Sequence, residues 1–198
     1  MKRFLLIAML FAMPLTTYAE SGVSVGVASD YFFRGVSQTD QPHVNLTAIG
    51  EWNGFHAGAW VGTVDFGDEA DYEYDLFAGY KMNVMDNMSV ELGVIQYRYD
   101  AGDYEMVEEV FAGLTYGGLS IRGFQDTDTD DTYAELGLDI SNIVPVLDVN
   151  LLYGYHDEDN DFSALRVGYN NFFAEIMLET VMDGQSMDSI SVGYNYHF

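Results

Sequence analysis

A chain of 198 residues with 32 acids against seven lysines and arginines, formal charge −25, has no basic footprint for a phosphate backbone, which excludes nucleic acid as a partner. It has no cysteine, so neither a disulfide nor thiolate chemistry is available. Its 48% hydrophobic and 15% aromatic content excludes the disorder that high charge alone would suggest.

Residues 1–19, "MKRFLLIAMLFAMPLTTYA", begin with Lys2 and Arg3 and continue with an apolar run from Phe4 to Leu15. Thr17 and Ala19 stand at the small-residue positions of a cleavage site. The pattern predicts a secretory signal peptide removed after Ala19, and the run is too short for the roughly 20-residue span of a membrane helix. The mature chain, residues 20–198, keeps Arg34, Lys81, Arg98, Arg122 and Arg166, and losing Lys2 and Arg3 deepens its charge to −27.

Beyond residue 19 the hydrophobic period is two, the signature of half-buried strands. The first segment, 22–35, carries Val23, Val25, Val27, Tyr31 and Phe33 on one face. Asp30, Phe32 and Arg34 lie on the other. Further alternating segments follow at 44–52, 55–66, 72–82, 88–94, 110–116, 119–125, 134–140, 147–155, 163–169, 172–178 and 190–198, which makes twelve. Each is near the length of a tilted membrane strand.

The connections alternate too. After the odd-numbered segments they are mostly long and acidic: 36–43, 67–71, 100–103, "DTDTDD" at 126–131, "DEDND" at 157–161, and 183–186. After the even-numbered segments they are mostly short, including Asn53-Gly54, Gly117-Gly118 and Asn170-Asn171. Asn-Gly and Gly-Gly suit tight hairpins because both central residues can adopt positive φ. Short turns on one side and long loops on the other predict a closed all-β antiparallel barrel of twelve strands in the outer membrane of a Gram-negative bacterium. The apolar face is then the lipid face, and both termini fall on the periplasmic side. Ile190, Val192, Tyr194, Tyr196 and the terminal Phe198 resemble the targeting signal that the barrel-assembly machinery reads. Outer-membrane lipid and lipopolysaccharide are the surrounding partners, and the sequence fixes no oligomeric state.

Parity then assigns the lumen. Asp30, Phe32, Arg34, Asp75, Lys81, Glu91, Glu109, Arg122, Glu135, Arg166 and Glu175 point inward, as do Asp139, Asp148 and Glu179. Tyr31 and Phe33 are expected in an outer aromatic girdle. Asp30 and Arg34, four residues apart on one face, are about 13 Å apart and too distant to pair. Acids outnumber bases on this wall, which predicts a cation preference if the barrel conducts. Inner-face glycines, among them Gly93, Gly113, Gly154 and Gly193, leave room for water or relieve strand bending.

The segment "SDYFFRGVSQTDQP" at 29–42 resembles the signature of the TorF-type porins of proteobacterial outer membranes. Ser29, Asp30, Tyr31, Phe33, Arg34, Gly35, Ser37, Gln38, Thr39 and Pro42 carry the match. The resemblance implies an outer-membrane barrel with a pore.

Other chemistry is thin. "DTDTDD" begins like a calcium loop, but Asp131 replaces the glycine at the sixth position and Gly137 the glutamate at the twelfth. Weak Ca2+ or Mg2+ binding by Asp126, Asp128, Asp130, Asp157 and Asp159 is the remaining metal reading; no cofactor is expected. His156 among acids reads as a loop residue, and Ser191 and His197 are too far apart for a catalytic pair. No nucleophile motif is present, so an enzyme is not expected. The two functional readings are a small cation-preferring porin and a non-conducting barrel whose acidic loops bind divalent ions or a partner.

Overall fold

The computed structural model describes residues 21–198 except 40, 68, 102–103, 105, 145, 157–160 and 183–184, together with the backbone but not the side chains of 179–182 and 185–188. The expected signal peptide lies outside the described residues.

The strands are β1 (Gly22–Ala28), a short hairpin β2 (Phe32–Phe33) and β3 (Val36–Ser37), β4 (His43–Trp52), β5 (Phe55–Thr63), β6 (Tyr72–Met85), β7 (Met88–Tyr99), β8 (Val107–Tyr116), β9 (Leu119–Asp126), β10 (Thr132–Asp139), β11 (Asp148–His156), β12 (Phe162–Tyr169), β13 (Phe172–Met182) and β14 (Gln185–His197). All except β2 and β3 form one closed antiparallel barrel. Closure joins β1 to β14, with Ser24 opposite His197 and Ala28 opposite Gly193. On its other edge β1 pairs with β4, from Gly22 opposite Ile49 to Ala28 opposite His43. The barrel therefore has twelve strands and no open edge, the condition hydrocarbon imposes on a sheet.

The wall is inside out relative to a water-soluble protein. Leu92 is 63% and Ile190 62% exposed, whereas Glu73 is 0%, Asp75 2% and Glu109 2% exposed. Apolar side chains face outward because lipid is the solvent there. The short turns follow their chemistry: Asn53 and Gly54 have φ of 51° and 85°, and Asn170 has φ of 54°.

The first segment departs from expectation. Strand β1 stops at Ala28, and the chain turns into the barrel instead of continuing to residue 35. Tyr31 and Phe33 are 5% and 1% exposed, so neither joins an outer girdle. The alternation rule fails here because 31–33 are three consecutive aromatics with no polar face. A turn follows directly: Phe33 pairs with Val36 around Arg34 and Gly35, whose φ angles are 42° and 82°. Positive φ at both central residues is the tight type I′ geometry. A Cβ on Gly35 would lie 2.7 Å from the Phe162 ring, so the hairpin tip meets the wall at β12, three strands from β1.

Packing around this hairpin fills the end of the barrel that carries the long loops. Tyr31 and Phe33 cluster with Trp60, Ile95 and Tyr97 on one side. Phe32 clusters with Phe111, Phe124, Tyr133, Leu152, Phe162 and Met177 on the other. Inner-face glycines accommodate this crowding. A Cβ at Gly93 would run into the Phe111 ring, at Gly154 into Phe162, and at Gly193 into Phe173. These positions are roofed by rings from the neighbouring strand and leave no room for water, contrary to one of the expectations above.

Candidate functional site: the lumen

Asp30 sets the hairpin. Its Oδ1 accepts the Tyr31 backbone N–H at 2.7 Å and the Ser37 hydroxyl at 2.9 Å. Ser191 Oγ on β14 donates to the Asp30 carbonyl at 2.7 Å, tying the hairpin base to the wall. The Tyr31 carbonyl accepts the Gln38 N–H at 2.7 Å, and Asp65 N–H donates to the Gln38 carbonyl at 2.8 Å. Asp30 thus caps the hairpin rather than lining a strand. It does not pair with Arg34, as expected, but the reason is the turn and not strand spacing.

Arg34 reaches across the lumen to β8. Its Nη1 and Nη2 donate to the two Glu109 oxygens at 2.9 and 2.7 Å. Tyr97 adds its hydroxyl to Glu109 at 3.1 Å. The guanidinium carbon lies 4.0 Å from the Tyr133 ring centre and 5.0 Å from that of Phe124. Arg34 is 8% exposed, and a buried cation loses hydration worth several kcal/mol. The bidentate carboxylate and the aromatic faces replace that hydration.

From Tyr133 the network runs toward the turn end. Tyr133 donates to Glu135 at 3.1 Å. Arg122 lies 3.6 Å from Glu135 and 3.7 Å from Glu91, and Glu91 is 3.2 Å from His56 Nε2. Five expected lumen residues, Arg34, Glu109, Arg122, Glu135 and Glu91, are therefore linked with His56 and Tyr133 in one chain. Arg166 and Glu175 form a second group, 3.5 Å apart, with Arg166 stacked 3.8 Å over Phe173. Asp75 is buried beside Glu73, whose oxygens accept from Tyr99 at 3.2 Å and Tyr31 at 3.5 Å. Lys81 is half-buried opposite Glu91 in the register. Phe32 is wedged into the aromatic cluster.

Sequence reasoning missed Glu73, His43 and His56. Parity alone places Glu73 with Asp75 and His56 opposite the lipid face of Phe55. His156 is a correction: it ends β11 and is buried at 7% exposure rather than sitting in a loop. Among the metal candidates, Asp126 Oδ1 accepts the backbone N–H of Asp128 at 2.8 Å and of Thr129 at 3.1 Å, which closes its own loop. Asp128 and Asp130 are exposed. Asp157 and Asp159 lie outside the described residues. No cluster of three metal-ligating His, Cys, Asp or Glu side chains exists among the described residues.

Comparison with known proteins agrees with this architecture. A solved KdgM porin superposes with a TM-score of 0.66 at 13% identity, covering 88% of this chain and 99% of that one. A KdgM porin in complex with disordered oligogalacturonate gives 0.62 at 12% identity, over 90% and 99%. At such identities the likeness is one of fold: a porin-type barrel. No curated protein matches the sequence. The family model described as "Bacterial protein of unknown function (Gcw_chp)" matches residues 14–183, and the chain belongs to that family.

Proposed function

We propose that this chain is an outer-membrane porin of narrow bore that passes small cations. The observation that carries the reading is the charge of the inner wall. Glu73, Asp75, Glu91, Glu109, Glu135 and Glu175 face four bases, Arg34, Lys81, Arg122 and Arg166, inside a barrel whose outer face is apolar. Fixed carboxylates in excess favour cations by charge. Oligogalacturonate, the ligand of one structural relative, is a polyanion; this acidic wall suits the opposite charge. The TorF-type resemblance of 29–42 supports the same reading, since that segment builds the constriction. The loop end then faces outward into lipopolysaccharide, and β14 with Phe198 is the strand read by the assembly machinery.

Recording from refolded protein in a planar bilayer under a KCl gradient tests this. A reversal potential shifted toward the K+ equilibrium value is expected; one shifted toward Cl− would overturn it.

A second reading rests on the hairpin, which fills the loop end with side chains of 1–5% exposure at Tyr31, Phe32 and Phe33. Such a barrel could serve as a closed scaffold whose acidic loops bind Ca2+ or Mg2+. Calcium-dependent melting together with silent bilayers would favour it.

A further inference from the structure

The six acids of the inner wall do not meet the bore alike. Glu73 and Asp75 are 0% and 2% exposed. The side chains of Glu109, Glu135 and Glu175 are 3%, 5% and 7% exposed, each beside an arginine. Glu91 is the open one of the six, its side chain 18% exposed. Glu51, Asp139 and Asp148 also face inward, but they stand at or next to strand ends on the turn rim, where salt screens a fixed charge.

Glu91 belongs to a row that runs straight across five strands. The register sets Lys81 on β6 opposite Glu91 on β7, Glu91 opposite Gly113 on β8, Gly113 opposite Arg122 on β9, and Arg122 opposite Glu135 on β10. Two strand spacings, about 10 Å, separate the backbones of Glu91 and Arg122. Arg122 nonetheless comes within 3.7 Å of Glu91 while holding Glu135 at 3.6 Å. It does so by lying flat over Gly113: a Cβ there would come 3.2 Å from Arg122 Cγ. The other side of Glu91 repeats the device. His56 on β5 is opposite Gly79 on β6 and reaches past it, placing Nε2 3.2 Å from Glu91. A Cβ at Gly79 would come 2.6 Å from His56 Nε2 and 2.9 Å from the Leu92 carbonyl oxygen. Two glycines thus clear a path along the wall, and both side chains lie against it instead of standing into the bore.

We infer that Glu91 is the selectivity-determining carboxylate of the lumen, and that Gly113 and Gly79 are positioning residues that lay Arg122 and His56 across the wall to it. An ion in the bore meets one open acid, and the field of that acid is set by how closely Arg122 and His56 lie against it. The role of Glu91 in permeation rests on the pore reading; the assembly of the cluster does not.

Bilayer recordings under a KCl gradient test the role of Glu91. Glu91→Gln is expected to lower the K+/Cl− permeability ratio several-fold. Glu73→Gln, which removes the same charge from a sealed position, should lower it clearly less. In Gly113→Val the arginine is lifted off Glu91, so adding Glu91→Gln should then change the ratio more than it does in the wild type. A purely structural role of Gly113 would not alter that difference. Melting of the folded, detergent-solubilised protein gives a readout independent of conduction. The effects of Glu91→Gln and Arg122→Gln should be non-additive in the wild type and additive in Gly113→Val. Should Gly113→Val fail to fold, judged by heat-modifiable gel mobility, Gly113→Ala must reduce the same non-additivity. Channel steps whose ratio is unchanged by Glu91→Gln, or lowered as much by Glu73→Gln, would overturn the selectivity role and leave the pore standing. Additive melting effects in the wild type, or undiminished non-additivity in the Gly113 variants, would overturn the positioning role. A silent bilayer from protein shown to be folded and inserted would sink the pore and the role of Glu91 with it.

Discussion

Arg34 is the residue on which the interior turns. It sits at φ 42°, a conformation uncommon for a side-chain-bearing residue, and its guanidinium spans the lumen to Glu109 at 2.7 Å. Breaking one side of such a buried pair strands the other charge, at a cost of about 3–5 kcal/mol. Arg34→Ala is therefore expected to lower the unfolding midpoint sharply and to alter conductance. The double variant Arg34→Ala/Glu109→Ala should cost clearly less than the two single changes summed, because no charge is then stranded. Strict additivity in urea-unfolding measurements would show that the pair is not coupled. At this scale parity was a sound guide: Asp75, Glu91, Arg122, Glu135, Arg166 and Glu175 all point inward as alternation dictates. Their partners were not legible, because a partner across the lumen depends on barrel closure rather than on any local spacing.

Among elements, the twelve wall strands were readable because each buries one face in lipid and repeats with period two. Alternation of acidic loops with Asn-Gly-type turns gave their order. The β2–β3 hairpin was not readable. Three successive aromatics hide a change of direction, and an arginine at the first turn position carries no sequence mark of positive φ. Its composition becomes intelligible only once it is inside: Tyr31 and Phe33 serve one cluster, Phe32 the other, and Gly35 fits against Phe162. Replacing residues 31–38 by a short Gly-Ser linker should leave the barrel able to fold, because the pairing of β1 with β4 and β14 does not use the hairpin. Conductance of that variant should rise several-fold over wild type, as removal of an internal obstruction widens the bore. Equal conductance in the two proteins would show that the hairpin is not the constriction.

The whole molecule is organised by two solvents. Lipid sets the outer face, and charge pairs and packed aromatic rings set the inner one. Leu92→Arg places a cation on the lipid face and should cost roughly 2–4 kcal/mol at mid-depth. Thr47→Arg, half-buried on the inner face of β4, should fold with much smaller loss. Similar penalties in refolding titrations in lipid vesicles would contradict the assignment of faces. Under the proposed function, an acid-rich wall around a narrowed bore would select by charge before it selects by shape. Paired single-channel recordings of the wild type and the hairpin-replaced variant, under one KCl gradient, test this most directly. The account predicts cation-selective reversal in both, with larger steps in the variant. Anion-selective reversal, or no steps from either protein once folded and inserted, would contradict it.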